Sequence, residues 1–178
     1  MSHVWYFAYG SNLQSATLRG RRGVEVRRAV PVRADGWRLV FDKPRLFGDG
    51  SVANIVPDGD GHVLGVAFEI PVEDHAHVEL TEGVAIGHYL RVELAVAPLA
   101  TIDDAPRTAL SLTSDQRNAA LCPSTRYMGL VIEGALEHGL PDAHLEFLRS
   151  VPAVQESAEA AALRPMIDAL MKRKERPS

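Results

Sequence analysis

Residues 4–9 form a nearly unbroken apolar and aromatic run that stops at Gly10, the pattern of a buried strand. Residues 12–19 follow as a short predicted helix. Residues 37–41 and 52–56 are predicted strands, with turn signals at Asp49-Gly50 between them and Asp58-Gly59-Asp60-Gly61 after them. Residues 62–70 are another strand, and the Asp-Gly cluster before it predicts a hairpin. Pro71 suits the first turn of a helix reaching about Leu80. After Gly87, residues 88–97 alternate enough (Tyr89, Val92, Leu94, Val96) for a strand, and 108–113 is a further candidate. Ser124 has the character of an N-cap, and Tyr127, Leu130, Val131, Gly134 and Ala135 keep helical spacing until Gly139. Residues 141–150 and 158–174 are two more predicted helices, the last ending in basic residues that suit its negative end. Strands come first and helices later, with one helix between strands, which predicts an α+β fold and not a doubly wound sheet. No repeat or linker divides the chain, so residues 1–178 are expected to form one domain, with the helix at 158–174 packing on it or extending from it.

Composition agrees with a globular chain: 46% of residues are apolar and 24% charged. No apolar run approaches the roughly 20 residues that span a bilayer, so no membrane is expected as a partner. The first residues lack the basic start and small-residue cleavage site of a secretory leader, and the single cysteine, Cys122, cannot form an internal disulfide. The expectation is a cytoplasmic protein. A net charge of -4 gives no reason to bind nucleic acid. The exception is local: Arg19, Arg21, Arg22, Arg27 and Arg28, interrupted by Glu25. This run suits either a polyanion patch or a solvated connection, and the second is favoured because no aromatic residues interleave. His75 and His77 stand two apart on a predicted helix, and Asp58 and Asp60 lack the later acid of a calcium loop, so no metal is expected. Cys122 is expected to be a buried, inert thiol, and His88 a structural histidine beside Tyr89.

The turn that ends the first strand has chemistry to offer. Gly10 opens backbone conformations closed to other residues, and Ser11 and Asn12 can cap the helix that follows. The first helical turn leaves N–H groups without partners, a place for an anion or an oxyanion. Taken alone, an ordinary capped turn that binds nothing is favoured. The segment is no phosphate loop, dinucleotide fingerprint or hydrolase elbow, because the glycines those need are missing.

Tyr6-Phe7-Ala8-Tyr9-Gly10-Ser11-Asn12-Leu13 resembles the Y-x-x-Y-G-S-N-L signature that opens the γ-glutamylcyclotransferase family. Gly65-Val66-Ala67-Phe68-Glu69 is similar to the strand that leads into the family's catalytic helix, and Glu82-Gly83-Val84 with Gly87 and Tyr89 is similar to its E-G-V-x-x-G-x-Y segment. Pro123-Ser124, Tyr127 and Gly134-Ala135 through Gly139-Leu140-Pro141 resemble the end of the same domain. The resemblance runs in order from about Val4 to about Val151.

What the resemblance implies is a mixed, barrel-like sheet flanked by helices and an enzyme without a cofactor. The α-amine of a γ-glutamyl amino acid or γ-glutamylamine attacks its own γ-carbonyl, releasing 5-oxoproline and an amine. Glu82 takes the role of general acid and base. It lies where a helix ends, between Leu80 and Val84, so the helix dipole and lost water both disfavour its charged form. Gly10, Ser11, Asn12 and Leu13 hold the γ-glutamyl group, and Tyr9, Tyr89 and Tyr127 line the pocket. The resemblance leaves room for a homodimer. Two features depart from the family: Ser111 stands where eukaryotic members have a tyrosine, and the arginines from 19 to 28 match nothing in the pattern. A non-catalytic member of the fold that binds a small ligand or partner is the alternative.

Overall fold

The computed structural model describes residues 2–172. Six strands, β1 (His3–Ala8), β2 (Arg28–Pro44), β3 (Ser51–Pro71), β4 (Leu90–Ala95), β5 (Ala97–Pro98) and β6 (Thr108–Thr113), form one mixed sheet ordered β4-β6-β1-β3-β2-β5. Four helices accompany it: α1 (Val72–Thr81), α2 (Thr125–Glu137), α3 (Asp142–Ser150) and α4 (Ala158–Met171). The α+β expectation therefore holds, and the sheet is a half-barrel. Its curvature is visible in the topology, because β4 and β5 lie at opposite edges while only Val96 separates them in the chain. Joining two edges through one residue is possible only if the sheet curls on itself.

β1 has neighbours on both sides, antiparallel to β3 and parallel to β6, which explains its continuous apolar run. Phe7, Val66, Phe68 and Ile70 are fully buried in the core beneath α2 and α3 with Leu13, Val131 and Leu148.

The strands predicted at 52–56 and 62–70 are one strand of 21 residues, β3, and the 37–41 prediction is part of the 17-residue β2. Asp58-Gly59-Asp60-Gly61 is not a hairpin turn. It is an extra piece within β3, opposed on β2 by Gly36 alone, because Trp37 pairs with Pro57 while Asp35 pairs with His62. Such a bulge bends a strand and uses the same residues as a turn. The hairpin lies instead at residues 45–50, where Gly48 and Gly50 take positive φ.

A second irregularity falls in β2. Val40 pairs with Asn54 and Lys43 with Val52, so Phe41 and Asp42 face Ala53. The predicted helix at 12–19 is a 3₁₀ turn, Ser11–Leu13, followed by a π-helical segment, Ala16–Arg21. The predicted strand at 88–97 splits at Val96 into β4 and β5. The helix expected at 158–174 runs to Met171; Arg173 and Lys174 lie outside the described residues.

α2 packs directly on the turn after β1. A Cβ on Gly134 would sit 2.4 Å from the Gln14 nitrogen and 2.5 Å from the Leu13 carbonyl carbon, whereas one on Gly129 of the same helix would meet nothing within 4 Å. Gly134→Ala is expected to destabilise by about 2–3 kcal/mol despite the gain in helix propensity, and Gly129→Ala to be neutral or stabilising by up to about 1 kcal/mol. Urea unfolding of the two variants side by side measures this; equal stabilities would show that α2 does not need that approach.

Candidate active site

The turn after β1, the C-terminal end of α1, the β2–β3 hairpin and α2 converge on one cleft, and α4 supplies a further wall through Arg164, Ile167 and Asp168. Of the residues marked by sequence, Tyr9, Gly10, Ser11, Asn12, Glu82, Tyr89 and Tyr127 all line this cleft. Leu13 does not: its side chain is fully buried in the core, and its N–H donates to the Gly10 carbonyl at 3.0 Å. Ser111 is also off the cleft, buried with its hydroxyl donating to the Phe7 carbonyl at 2.8 Å.

Glu82 occupies the residue after α1, where its own N–H donates to Val78 and Gly83 turns the chain with a φ of 74°. Its side chain is 21% exposed and is gripped by Arg22, which is 2% exposed. The Arg22 guanidinium donates through Nη2 to Glu82 Oε1, through Nη1 to Thr81 Oγ1 and through Nε to Asn12 Oδ1 at 2.8 Å. Asn12 Nδ2 in turn donates to the Tyr6 hydroxyl at 2.9 Å. A planar fork of donors suits this bridging task as no lysine would. Among the described residues, no hydrogen bond reaches the second oxygen of Glu82.

Two expectations change here. Ser11 and Asn12 do not cap a helix: the 3₁₀ turn has no side-chain cap, and Asn12 spends its amide on Tyr6 and Arg22. The arginine run is not wholly a solvated connection. Arg22 is buried, Arg21 pairs with Asp168 of α4 at 3.3 Å, and Arg27 and Arg28 lie on the exposed side. Nor does Glu82 face the helix dipole alone, as its place in the sequence suggests: Arg22 sets a cation beside it.

The tyrosine hydroxyls divide by what they do. Tyr9 donates to the Leu112 carbonyl at 2.6 Å and Tyr89 to the Ala53 carbonyl at 2.7 Å. Tyr127 accepts from the Ala53 N–H at 3.0 Å and also from the Ser11 backbone. Ala53, stranded opposite the β2 bulge, thus has both backbone groups satisfied by tyrosines. Because Tyr127 accepts both bonds, its own O–H is left to donate elsewhere. A Cβ on Gly10 would lie 2.9 Å from that hydroxyl, so glycine is what lets the turn come so near. Burial, with the charge of Glu82 adding to it, pushes Tyr127 up to about 12 and raises Tyr6, Tyr9 and Tyr89 well above the ordinary tyrosine value, so all four remain neutral donors or acceptors near pH 7.

Lys43 was not marked by sequence. It is fully buried behind the cleft wall, with Nζ 3.0 Å from His88 Nε2, 3.3 Å from the Pro44 carbonyl and 4.5 Å above the Tyr89 ring. Burial pushes its ammonium down to about 8, against the pull of the Glu82 charge. Burial and then Lys43 push His88 down as well, which keeps the imidazole neutral and able to accept. His75 stacks edge-on against Tyr6, and among the described residues no group of three His, Cys, Asp or Glu side chains could hold a metal ion. Among the same residues, no helix is long and apolar enough to cross a membrane.

Arg22→Met is expected to cost about 2–4 kcal/mol, since it leaves Glu82, Asn12 and Thr81 without the fork. Combined with Glu82→Gln the losses should fall short of their sum; additive losses in a denaturation cycle would mean the two act independently. For Lys43 the folded pKa lies below the unfolded value of 10.5, so between about pH 8 and 10.5 the unfolded chain holds more protons there. Stability contributed by this residue therefore rises with pH across that window. Wild type should gain about 1–2 kcal/mol over Lys43→Met between pH 8 and pH 10 in urea unfolding, and parallel curves would contradict it.

Comparison with known proteins agrees with this fold. The AIG2-like family model matches residues 62–148. The γ-glutamyl cyclotransferase aclK of Aspergillus oryzae is 31% identical over 165 residues, spanning 82% of this chain and 60% of that protein. The γ-glutamyl cyclotransferase gliK of Aspergillus fumigatus is 27% identical, spanning 85% of this chain and 63% of its own. The chain thus spans somewhat over half the length of these two fungal relatives. The γ-glutamylcyclotransferase of Bos taurus is 26% identical, with 96% of this chain and 88% of that protein covered. A solved γ-glutamyl cyclotransferase structure superposes with a TM-score of 0.76 at 23% identity, covering 93% of this chain and 99% of its own, and so shares the fold. Half-barrel, ordered sequence matches and relatives together support the AIG2-like, γ-glutamylcyclotransferase family for this chain.

Proposed function

We propose that this chain is an enzyme that releases 5-oxoproline from a γ-glutamyl amino acid or γ-glutamylamine, with Glu82 as the acid and base. The observation that carries the reading is the Glu82 carboxylate on the wall of the cleft, held through one oxygen by a buried arginine and left with the other oxygen free. The reaction asks for little beyond that. Nucleophile and electrophile belong to one substrate, so folding it into a ring-closing shape supplies much of the acceleration. Glu82 takes a proton from the α-ammonium; the amine nitrogen bonds to the γ-carbonyl carbon; the carbon–nitrogen bond to the leaving amine breaks as Glu82 returns the proton to that nitrogen; and the ring nitrogen sheds its second proton to solvent, which leaves the neutral lactam.

The developing oxyanion needs a donor, and the Tyr127 O–H, left over after its oxygen accepts from Ala53 and Ser11, is the one at hand. Arg126 lines the same cleft and makes no ion pair among the described residues, so it is a cation available to the substrate's α-carboxylate. Arg22 fixes the Glu82 rotamer and takes no part in bond making. We also place the protein in a reducing compartment, where the thiol of Cys122 stays free.

Glu82→Gln keeps an acceptor for Arg22 and should fold normally while kcat falls by about 10²–10⁴. Mass-spectrometric detection of 5-oxoproline from γ-glutamyl-alanine and other γ-glutamyl amines measures both halves of the proposal. Near-normal turnover by Glu82→Gln removes that residue from the chemistry, and no product from a broad panel would point to a binding protein instead.

A further inference from the structure

A second depression adjoins the cleft, and its character is different. It is an open groove of about 700 Å³, walled by Phe47 of the hairpin, Leu80 of α1, Ile86 of the following turn and Leu170 of α4. Large apolar side chains usually avoid water, yet Leu80 is 68%, Ile86 73% and Leu170 60% exposed here. The two depressions are continuous, since Leu46, Phe47, Thr81 and Met171 line both. Along the chain the border falls at Glu82: Thr81 touches both, Glu82 lines the cleft alone and Gly83 lines the groove alone.

That placement bears on the substrate, given the cyclotransferase reading above. The γ-glutamyl half must lie within the cleft, among the tyrosines. The leaving nitrogen must lie beside the acid that protonates it, and so at the border. Whatever that nitrogen carries then extends from Glu82 along the groove. The walls there are apolar, with His77 and Lys172 the only ionisable side chains that the described residues contribute. We propose that the groove between Leu80, Ile86, Phe47 and Leu170 is the leaving-group subsite, and that the preferred substrates are γ-glutamyl conjugates of amines or amino acids with a bulky apolar substituent. The exposed leucines and isoleucine are then covered in the substrate complex, and apolar contact favours the large leaving group in proportion to the area it covers.

The test compares γ-glutamyl-phenylalanine with γ-glutamyl-alanine, with 5-oxoproline as the readout. We expect kcat/KM to favour the phenylalanine conjugate at least about tenfold, chiefly through KM. Ile86→Ser and Leu80→Ser, both at exposed positions where folding is not at stake, should each shrink that ratio severalfold toward one. Equal turnover of the two substrates, or a ratio that both variants leave unchanged, overturns the subsite. A dimer in size-exclusion chromatography that Ile86→Ser dissociates, with no substrate preference, overturns it in favour of a second copy on the groove. Failure to release 5-oxoproline from either substrate overturns the cyclotransferase reading itself, a result distinct from turnover without preference.

Discussion

The constraint on which everything else depends is the single residue between β4 and β5. These strands pair with opposite edges of the sheet, β4 with β6 and β5 with β2, yet the chain passes from one to the other through Val96 alone. The Val96 N–H is held by the Arg107 carbonyl at 3.0 Å, so even this residue is anchored. A flat sheet of six strands would hold those edges roughly 25 Å apart. Curling brings them together and wraps the sheet around β1, whose last residues are buried. The turn after β1 is therefore delivered to the interior mouth of the half-barrel, where α1 ends and α2 begins.

At that mouth the protein solves an electrostatic problem with two buried cations of different kinds. Arg22 has a carboxylate, an amide and a hydroxyl in the plane of its fork, and its charge is compensated at short range. Lys43 has an imidazole, a carbonyl and an aromatic face, none of them charged, and so its proton is held less firmly. Glu82 lies within electrostatic reach of Lys43 and of all four tyrosines. The site thus fixes the Arg22–Glu82 ion pair firmly and sets beside it tyrosines, His88 and Lys43, groups that burial pushes toward neutrality.

How much of this was legible depends on the range of the interaction. Periodicity found β1 and α2, because each buries a face that the side-chain pattern records, and Pro71 marked the start of α1. It failed at Asp58–Gly61, since a bulge and a hairpin turn ask for the same residues and only the register with β2 separates them. It also could not see that 88–97 divides at Val96, because the two halves differ only in their partners. In the site, Glu82 and the turn at Gly10 were marked by their order along the chain. Arg22 was hidden in a run of arginines that composition treats alike, and its burial follows from a π-helical segment that no local pattern announces. Lys43 had no signal at all: a lysine in an exposed-looking hairpin arm is ordinarily solvated.

The tyrosines that close over Ala53 have a consequence for descent within the family. Tyr89 and Tyr127 complete the hydrogen bonding of a strand residue that β2 has abandoned at its bulge, and Tyr9 ties β1 to β6. Folding alone is enough to retain them. A descendant that lost the proposed chemistry would go on carrying all three, together with the glycine that makes space for Tyr127. On the proposed role of Glu82, an inactive branch would be betrayed elsewhere, by the acid at position 82, which ends its helix through a backbone that any residue could provide.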